Sequence, residues 1–403
     1  MPINFDNAAT TMLHPDVFAA MTPYLTGSFG NPSGVYEYAR TAKKAVEEAR
    51  RLVAEAINAR PEEIFFTGSG TEADNWAIKG AAELSTNPKG EVSRVLRGGK
   101  GRHIITSAIE HHAVLHTCQY LEKLGFTVTY LPVDTHGFVS PEAVEKSLRP
   151  DTVLVSIMLA NNEIGSIQPL EAIGELPRRR GIWLHTDAVQ AVGHIPVDVE
   201  ALRVDMLTLS AHKFHGPKGV GALYMRGGVS LKPFIHGGGQ ESGRSAGTEN
   251  VAGIVGAGAA IAIAAGEIPA ESVRLKTLRD MLINGIEQKI PLAHLNGPRE
   301  NRLPGNVNFS FDFAESGSLL RSLDNEGCCA SGGSACSSGS PDPSHVLLAL
   351  GIPAERARAS VRFSMGRYTT EADVDALLAL LPPLVESLRA MSPQYEEYLK
   401  RQK

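Results

Sequence analysis

The sequence predicts an α/β fold, with a large domain on a mostly parallel central sheet and a smaller α+β domain beside it. Three observations carry that prediction. The 403 residues exceed what one hydrophobic core usually serves. Short β-branched or aromatic runs alternate with helix-patterned stretches up to about Met225, the pattern of parallel strands joined by crossover helices. Past about Gly266 that alternation stops, and a charged helix, a strand-like run and a Gly/Ser loop follow.

Taken in order, Ala42, Ala45, Val46, Ala49, Val53 and Ile57 recur at helical spacing between charged residues over Glu37–Asn58, which makes an amphipathic helix. Strands are expected at Ile64–Thr67, His103–Thr106, Thr127–Val133, Val153–Leu159, Trp183–Thr186, Met206–Ser210 and Val220–Met225. Helical patterns at Glu72–Leu84, Ala113–Leu124 and Leu170–Arg179 separate them. Such a sheet is covered on both faces, and its ligands gather at the carboxyl ends of the strands. The Gly/Ala-rich run Val251–Ala265 falls short of the roughly 20 residues of a membrane span, so it reads as a buried helix. A separate helix is expected over Ser272–Lys289, a strand over Asn306–Phe311 and a final helix over Ala372–Met391. The boundaries drawn are 16–262 for the large domain and 1–15 with 263–403 for the small one. The small domain carries a mobile cysteine loop at about 328–343.

A net charge of -5 argues against direct nucleic-acid binding or a polybasic membrane role. Cysteines occur only at 118, 328, 329 and 336, too few and too clustered for a secreted disulfide framework. The opening Met-Pro-Ile-Asn-Phe-Asp shows no basic region followed by an apolar stretch, so no export signal is expected and the cytoplasm is the predicted location. One stretch, residues 87–102, holds five Lys/Arg against one Glu; it reads as an exposed loop, with docking of an acidic partner as the alternative.

Several segments combine residue types that carry chemistry. Ser210-Ala211-His212-Lys213 closes a predicted strand, where a desolvated lysine can serve as an amine nucleophile toward an aldehyde cofactor. His185-Thr-Asp187-Ala-Val-Gln190 also ends a strand; Asp187 suits a pyridine nitrogen, and Gln190 a ring oxygen. In Thr67-Gly-Ser-Gly70-Thr71-Glu72, the glycines and the N–H groups of a helix start suit a phosphate. His111 opens a helix after a strand and could stack on a flat cofactor, while Asn162 is similarly placed after the strand expected at Val153–Leu159. Each segment taken singly has a plain structural reading as a cap, a surface lysine or a core histidine. His212 and His215 lack the further ligands a zinc site requires. Cys336 sits in Ser331-Gly-Gly-Ser-Ala-Cys-Ser-Ser-Gly-Ser-Pro, small residues suited to movement rather than packing, and its reaction requires the thiolate. Cys328 and Cys329 end a predicted strand and read as buried packing.

In fixed order along nearly the whole chain, these segments resemble the cysteine desulfurases of the nitrogen-fixation and iron–sulfur-cluster assembly type. Phe5-Asp-Asn-Ala-Ala-Thr-Thr, Phe29-Gly-Asn-Pro-Ser and Ser360-Val-Arg-Phe-Ser-Met-Gly-Arg-Tyr-Thr add to the likeness. The resemblance implies the type I pyridoxal-phosphate-dependent transferase fold, pyridoxal 5'-phosphate as cofactor, and a homodimer. It implies Lys213 as the Schiff-base lysine, Asp187 as the pyridinium partner and His111 as the stacking and proton-shuttling residue. Asn162 and Gln190 fall near the ring oxygen, and Gly70, Thr71, Ser210, Ala211 and His212 at the phosphate. Thr248 matches a phosphate contact from the other subunit. Arg362, with Asn162, matches the grip on the carboxylate of the substrate, L-cysteine. Cys336 becomes the persulfide carrier, with transient iron–sulfur ligation as a further role and no resident metal. A sulfur acceptor such as an iron–sulfur scaffold protein is the implied partner. Two loop positions, Gly332 and Ser337, depart from the common Ser-Ser-Gly-Ser-Ala-Cys-Thr-Ser, and the tail after Pro393 is short. Rival expectations are a selenocysteine lyase, an aminotransferase of the same fold, or a non-catalytic sulfur-assembly scaffold or metal-binding protein.

Overall fold

A computed structural model describes residues 3–85, 101–229, 231–332 and 342–402. Cys336 and nearly all of the basic stretch 87–102 lie outside the described residues. The strands are β1 (Ile3–Asn4), β2 (Ile64–Thr67), β3 (His103–Ser107), β4 (Thr127–Leu131), β5 (Thr152–Ser156), β6 (Trp183–Asp187), β7 (Met206–Ser210), β8 (Gly221–Met225), β9 (Ala293–Leu295), β10 (Asn306–Phe311), β11 (Cys328–Cys329) and β12 (Ser360–Ser364).

All seven runs expected as strands pair in one sheet, in the order β2-β8-β7-β6-β5-β3-β4. Neighbours from β4 through β7 are parallel, and β8 runs antiparallel to both β7 and β2. Every residue of β2, β3, β5, β6, β7 and β8 is buried. That is why these segments read as continuous apolar or β-branched runs rather than as alternating patterns. Apolar clusters form on either side. One holds Val46, Val53, Leu184 and Leu207; the other holds Trp76, Val114, Leu154 and Met206. Neighbouring residues of one strand fall into opposite clusters, as the two-residue period requires.

The amphipathic helix Glu37–Ala56 buries Ala42, Val46, Ala49 and Val53 and packs on the helix Val251–Lys289. A Cβ at Gly258 would lie 2.6 Å from the Cα of Ala49, so only glycine permits that close approach. This contact explains the Gly/Ala-rich run. By length and composition Val251–Lys289 could cross a membrane, but half of its most apolar window is buried inside the molecule.

Two expectations are corrected here, the first being that Ala372–Met391 is the last helix: Glu371–Ala390 is followed by another, Pro393–Gln402. Val251–Ala265 and Ser272–Lys289 are not separate helices: a single 39-residue helix runs from Val251 to Lys289 through Pro269. Pro269 is exposed, so the carbonyl it leaves unpaired can be met by water. Each half buries its own apolar residues, Ile254 and Ile261 on one side of the proline, Leu278, Leu282 and Ile286 on the other.

Beyond this helix, β10 lies between β12 and β9 in an antiparallel sheet. Phe309, Phe311 and Phe363 pack with Phe5, Leu282, Ile286, Leu377 and Leu381 in a third cluster. The chain's first strand joins this region, because β1 pairs in parallel with β11, Ile3 opposite Cys328. From there residues 6–12 cross to the carboxyl ends of β6 and β7.

Candidate active site

The helix Gly70–Ser85 follows β2, and its first turn sits at the sheet's carboxyl edge. Ser69 Oγ accepts from the Glu72 N–H at 3.1 Å, a capping contact that fixes the turn. A Cβ on Gly70 would lie 2.9 Å from Val189 and 3.3 Å from Ser210, so glycine brings this backbone against the ends of β6 and β7. His111 caps the next helix, its Nδ1 accepting from the Ala113 N–H at 3.1 Å. Asp187 is the last residue of β6 and Ser210 of β7; Ala211–Lys213 follow as one turn of 3₁₀ helix.

These elements converge on a cavity of about 210 Å³. Its walls include Gly70, Thr71, His111, Asn162, Asp187, Gln190, Ser210, His212, Lys213 and Arg362. Ala211, between Ser210 and His212 in the chain, is fully buried and does not line the cavity. Thr248 is not brought there; it lines a separate cleft with Thr67, Gly68 and Glu72.

Burial sets the protonation states. It pushes the Asp187 carboxyl up to about 6, against the pull of the Val189 N–H and the charge of Lys213. Burial, then the Lys213 charge, lowers His111 to about 4, and the same two causes bring His212 to about 4. Both imidazoles are therefore neutral near pH 7.

The residues from Asp6 to Thr11 thread through the site. Lys213 Nζ donates to the carbonyls of Ala8 and Ala9 at 2.7 and 2.8 Å. Gln190 Nε2 donates to the Ala8 carbonyl at 3.0 Å, and His212 Nδ1 lies 3.1 Å from Thr10 Oγ1. Arg362 is 1% exposed. Its Nη2 pairs with Asp6 Oδ1 at 2.8 Å and its Nη1 donates to the Asn162 carbonyl at 3.1 Å. Its Nε, fully buried, has no hydrogen-bond partner among the described residues.

Three contributors escaped the sequence reading. The first is the pair of Ala8 and Ala9 carbonyls, which no side-chain pattern announces. The second is Asp74, four residues after Gly70 and so on the same helical face, a spacing that could have revealed it. Burial and the charge of Asp187 push its carboxyl well above the usual carboxylate range. Its Oδ1 has no hydrogen-bond partner among the described residues, the nearest cation-capable group being His185 Nε2 at 3.6 Å. The third is Glu110, fully buried, which accepts from Ser107 Oγ at 2.5 Å and the Met158 N–H at 2.9 Å and so braces the loop bearing His111.

Donor atoms of Asp74, His111 and Asp187 lie within 4.8 Å of one another. Two buried acids forced toward neutrality call for a positive group between them, which would restore their charge. At the cavity's other end, the start of the Gly70 helix with Ser210 and His212 offers anion donors. An acid floor, an anion cradle, an amine and a guanidinium fit a phosphorylated pyridine aldehyde holding an amino acid.

Residues 3–377 match the model of the class-V aminotransferases. The chain therefore belongs to the class-V aminotransferase family. Within that family its relatives are cysteine desulfurases. Cysteine desulfurase IscS of Clostridium botulinum is 52% identical, over 99% of this chain and 98% of its own length. A cysteine desulfurase of Nostoc is 47% identical over 97% of this chain and 94% of its own. A solved NifS-like protein superposes with a TM-score of 0.87 at 39% identity, covering 96% of this chain and 99% of that one. SspA, solved in complex with cysteine, gives a TM-score of 0.78 at 37% identity, over 92% of this chain and 100% of its own.

Proposed function

We propose that the protein is a pyridoxal-phosphate-dependent cysteine desulfurase that converts L-cysteine to L-alanine and holds the sulfur as a persulfide on Cys336. The observation that carries this reading is the joining of the Cys336 segment, at both of its described ends, to the residues that would hold the substrate. On one side Ser331 exchanges backbone hydrogen bonds with Arg362, at 2.7 and 3.2 Å. On the other, Ser344 Oγ donates to Glu163 at 2.5 Å, next to Asn162. Cys336 lies five positions after Ser331, and five extended steps reach roughly 17 Å.

Bound in the cavity, pyridoxal phosphate supplies an electron-withdrawing ring that stabilises negative charge at the substrate's α-carbon. Lys213 would hold it through its amine and would be placed to move the proton at that carbon. Asp187 would keep a proton on the ring nitrogen, and Gln190 and Asn162 would supply donors to the ring oxygen. Gly70, Thr71, Ser210, Ala211 and His212 hold the phosphate. His111, neutral, covers the ring face and can pass a proton. Arg362 orients the substrate carboxylate through its planar fork. The Cys336 thiolate would attack the substrate sulfur, forming an S–S bond as the Cβ–S bond breaks; the electron pair left toward Cβ takes up a proton, giving alanine and the Cys336 persulfide.

Thr248 would reach the phosphate of a second subunit, which accounts for its place outside the cavity. The exposed Phe18, Leu25, Phe29, Val35, Tyr36 and Tyr38 supply an apolar surface for such a homodimer. A sulfur-accepting protein, such as an iron–sulfur scaffold, would collect the persulfide in the cytoplasm. We place the large domain at 16–262 and the small one at 1–15 with 263–403, the Val251–Lys289 helix tying them together.

The test is direct. Cys336→Ala should keep the cofactor's visible absorption but lose alanine formation and protein-bound sulfane sulfur when cysteine is added. Undiminished alanine production would remove Cys336 from the reaction.

A further inference from the structure

Arg362 is buried at 1% exposure yet carries a full charge, and its fork is incompletely paired. Nη1 meets a neutral carbonyl, that of Asn162, and Nε meets nothing among the described residues. The carboxylate of Asp6, 2.8 Å from Nη2, is its one ion-pair contact among the described residues, with the buried Glu163 carboxyl acting on it from farther away. A buried guanidinium left without an anion is costly, and one carboxylate on one nitrogen is half of what the planar group accepts.

Asp6 is not locked in place as Arg362 is. Its side chain is 26% exposed. Its backbone is held separately: its N–H donates to Asn4 Oδ1 at 2.9 Å, and its carbonyl accepts from Ala9 N at 3.1 Å. The carboxylate can therefore leave Arg362 while the segment around it stays put.

We propose that Asp6 is a resident stand-in for the substrate carboxylate: it neutralises Arg362 in the empty site and is displaced when cysteine binds. The inference rests on the reading of Arg362 as the substrate-carboxylate residue. Asp6 is then a positioning residue that lowers the cost of an empty site and weakens substrate binding by the work of displacement. A residue that merely oriented Arg362 would have the opposite effect on substrate affinity.

The experiment compares wild type with Asp6→Asn, both loaded with cofactor. The variant should melt at a lower temperature when empty, gain more in melting temperature than wild type from saturating L-alanine, and show a KM for cysteine lower by roughly three- to tenfold with kcat little changed. A raised KM, or an alanine-induced gain no larger than in wild type, overturns the proposal. Independently of the variant's folding, a crystal structure of wild type with L-alanine bound should show Asp6 beyond hydrogen-bonding distance of Arg362; a retained contact rejects displacement. If wild type itself forms no alanine from cysteine, the desulfurase reading fails instead.

Discussion

Asp187 stands at the end of β6 with 5% of its surface exposed, and burial holds its carboxyl up near 6. A folded-state value above the ordinary one penalises the ionised form. The stability this group contributes is therefore complete below about pH 4 and lost as pH rises through about 6. Asparagine keeps the shape and removes the penalty. At about pH 8 the cofactor-free Asp187→Asn protein should be more stable by about 1–3 kcal/mol, read from denaturant midpoints, while desulfuration collapses. A variant that gains stability and loses activity would separate a functional acid from a structural cap. The motifs at the ends of β6 and β7 were legible because they are local in sequence: Asp187 ends a recognisable strand, and Gln190 and Lys213 each follow one. The Asp6–Arg362 pair spans 356 positions, and no periodicity links residues so far apart.

At the scale of elements, the site depends on how closely backbones approach. The Glu37–Ala56 and Val251–Lys289 helices touch at Ala49 and Gly258, where an added Cβ would meet a Cα at 2.6 Å. Gly258→Val must push them apart, and a loss of about 1–3 kcal/mol is expected. An unchanged urea midpoint would show that the pair can slide apart freely. The long helix also shows where a sequence reading falters. Gly266 and Pro269 look like punctuation, yet an exposed proline in a helix anchored at both ends breaks only one hydrogen bond. Tertiary burial on either side outweighs that loss.

For the whole molecule, the exposed apolar residues between positions 18 and 38 set the question of assembly. Phe29 is 74% exposed and stacks on Tyr38 at 5.9 Å. If a second copy covers this face, Phe29→Asp should shift the protein toward monomer in analytical ultracentrifugation. It should also weaken cofactor retention, since Thr248 would no longer reach the partner's phosphate site. Weakened association with cofactor affinity unchanged would sever Thr248 from that role.

From its order of residues alone this chain specified its layered sheet and the segments bearing Gly70, Asp187 and Lys213 that meet at one edge of it, because buried parallel strands impose a composition and their carboxyl ends are where loops converge. Which groups complete the cavity was decided by the three-dimensional packing. Backbone carbonyls from Ala8 and Ala9, and a carboxylate from Asp6, reach Lys213 and Arg362 only because β1 pairs with β11 and delivers the N-terminal segment across the site. Main-chain oxygens look alike in every sequence, so only their final positions reveal them.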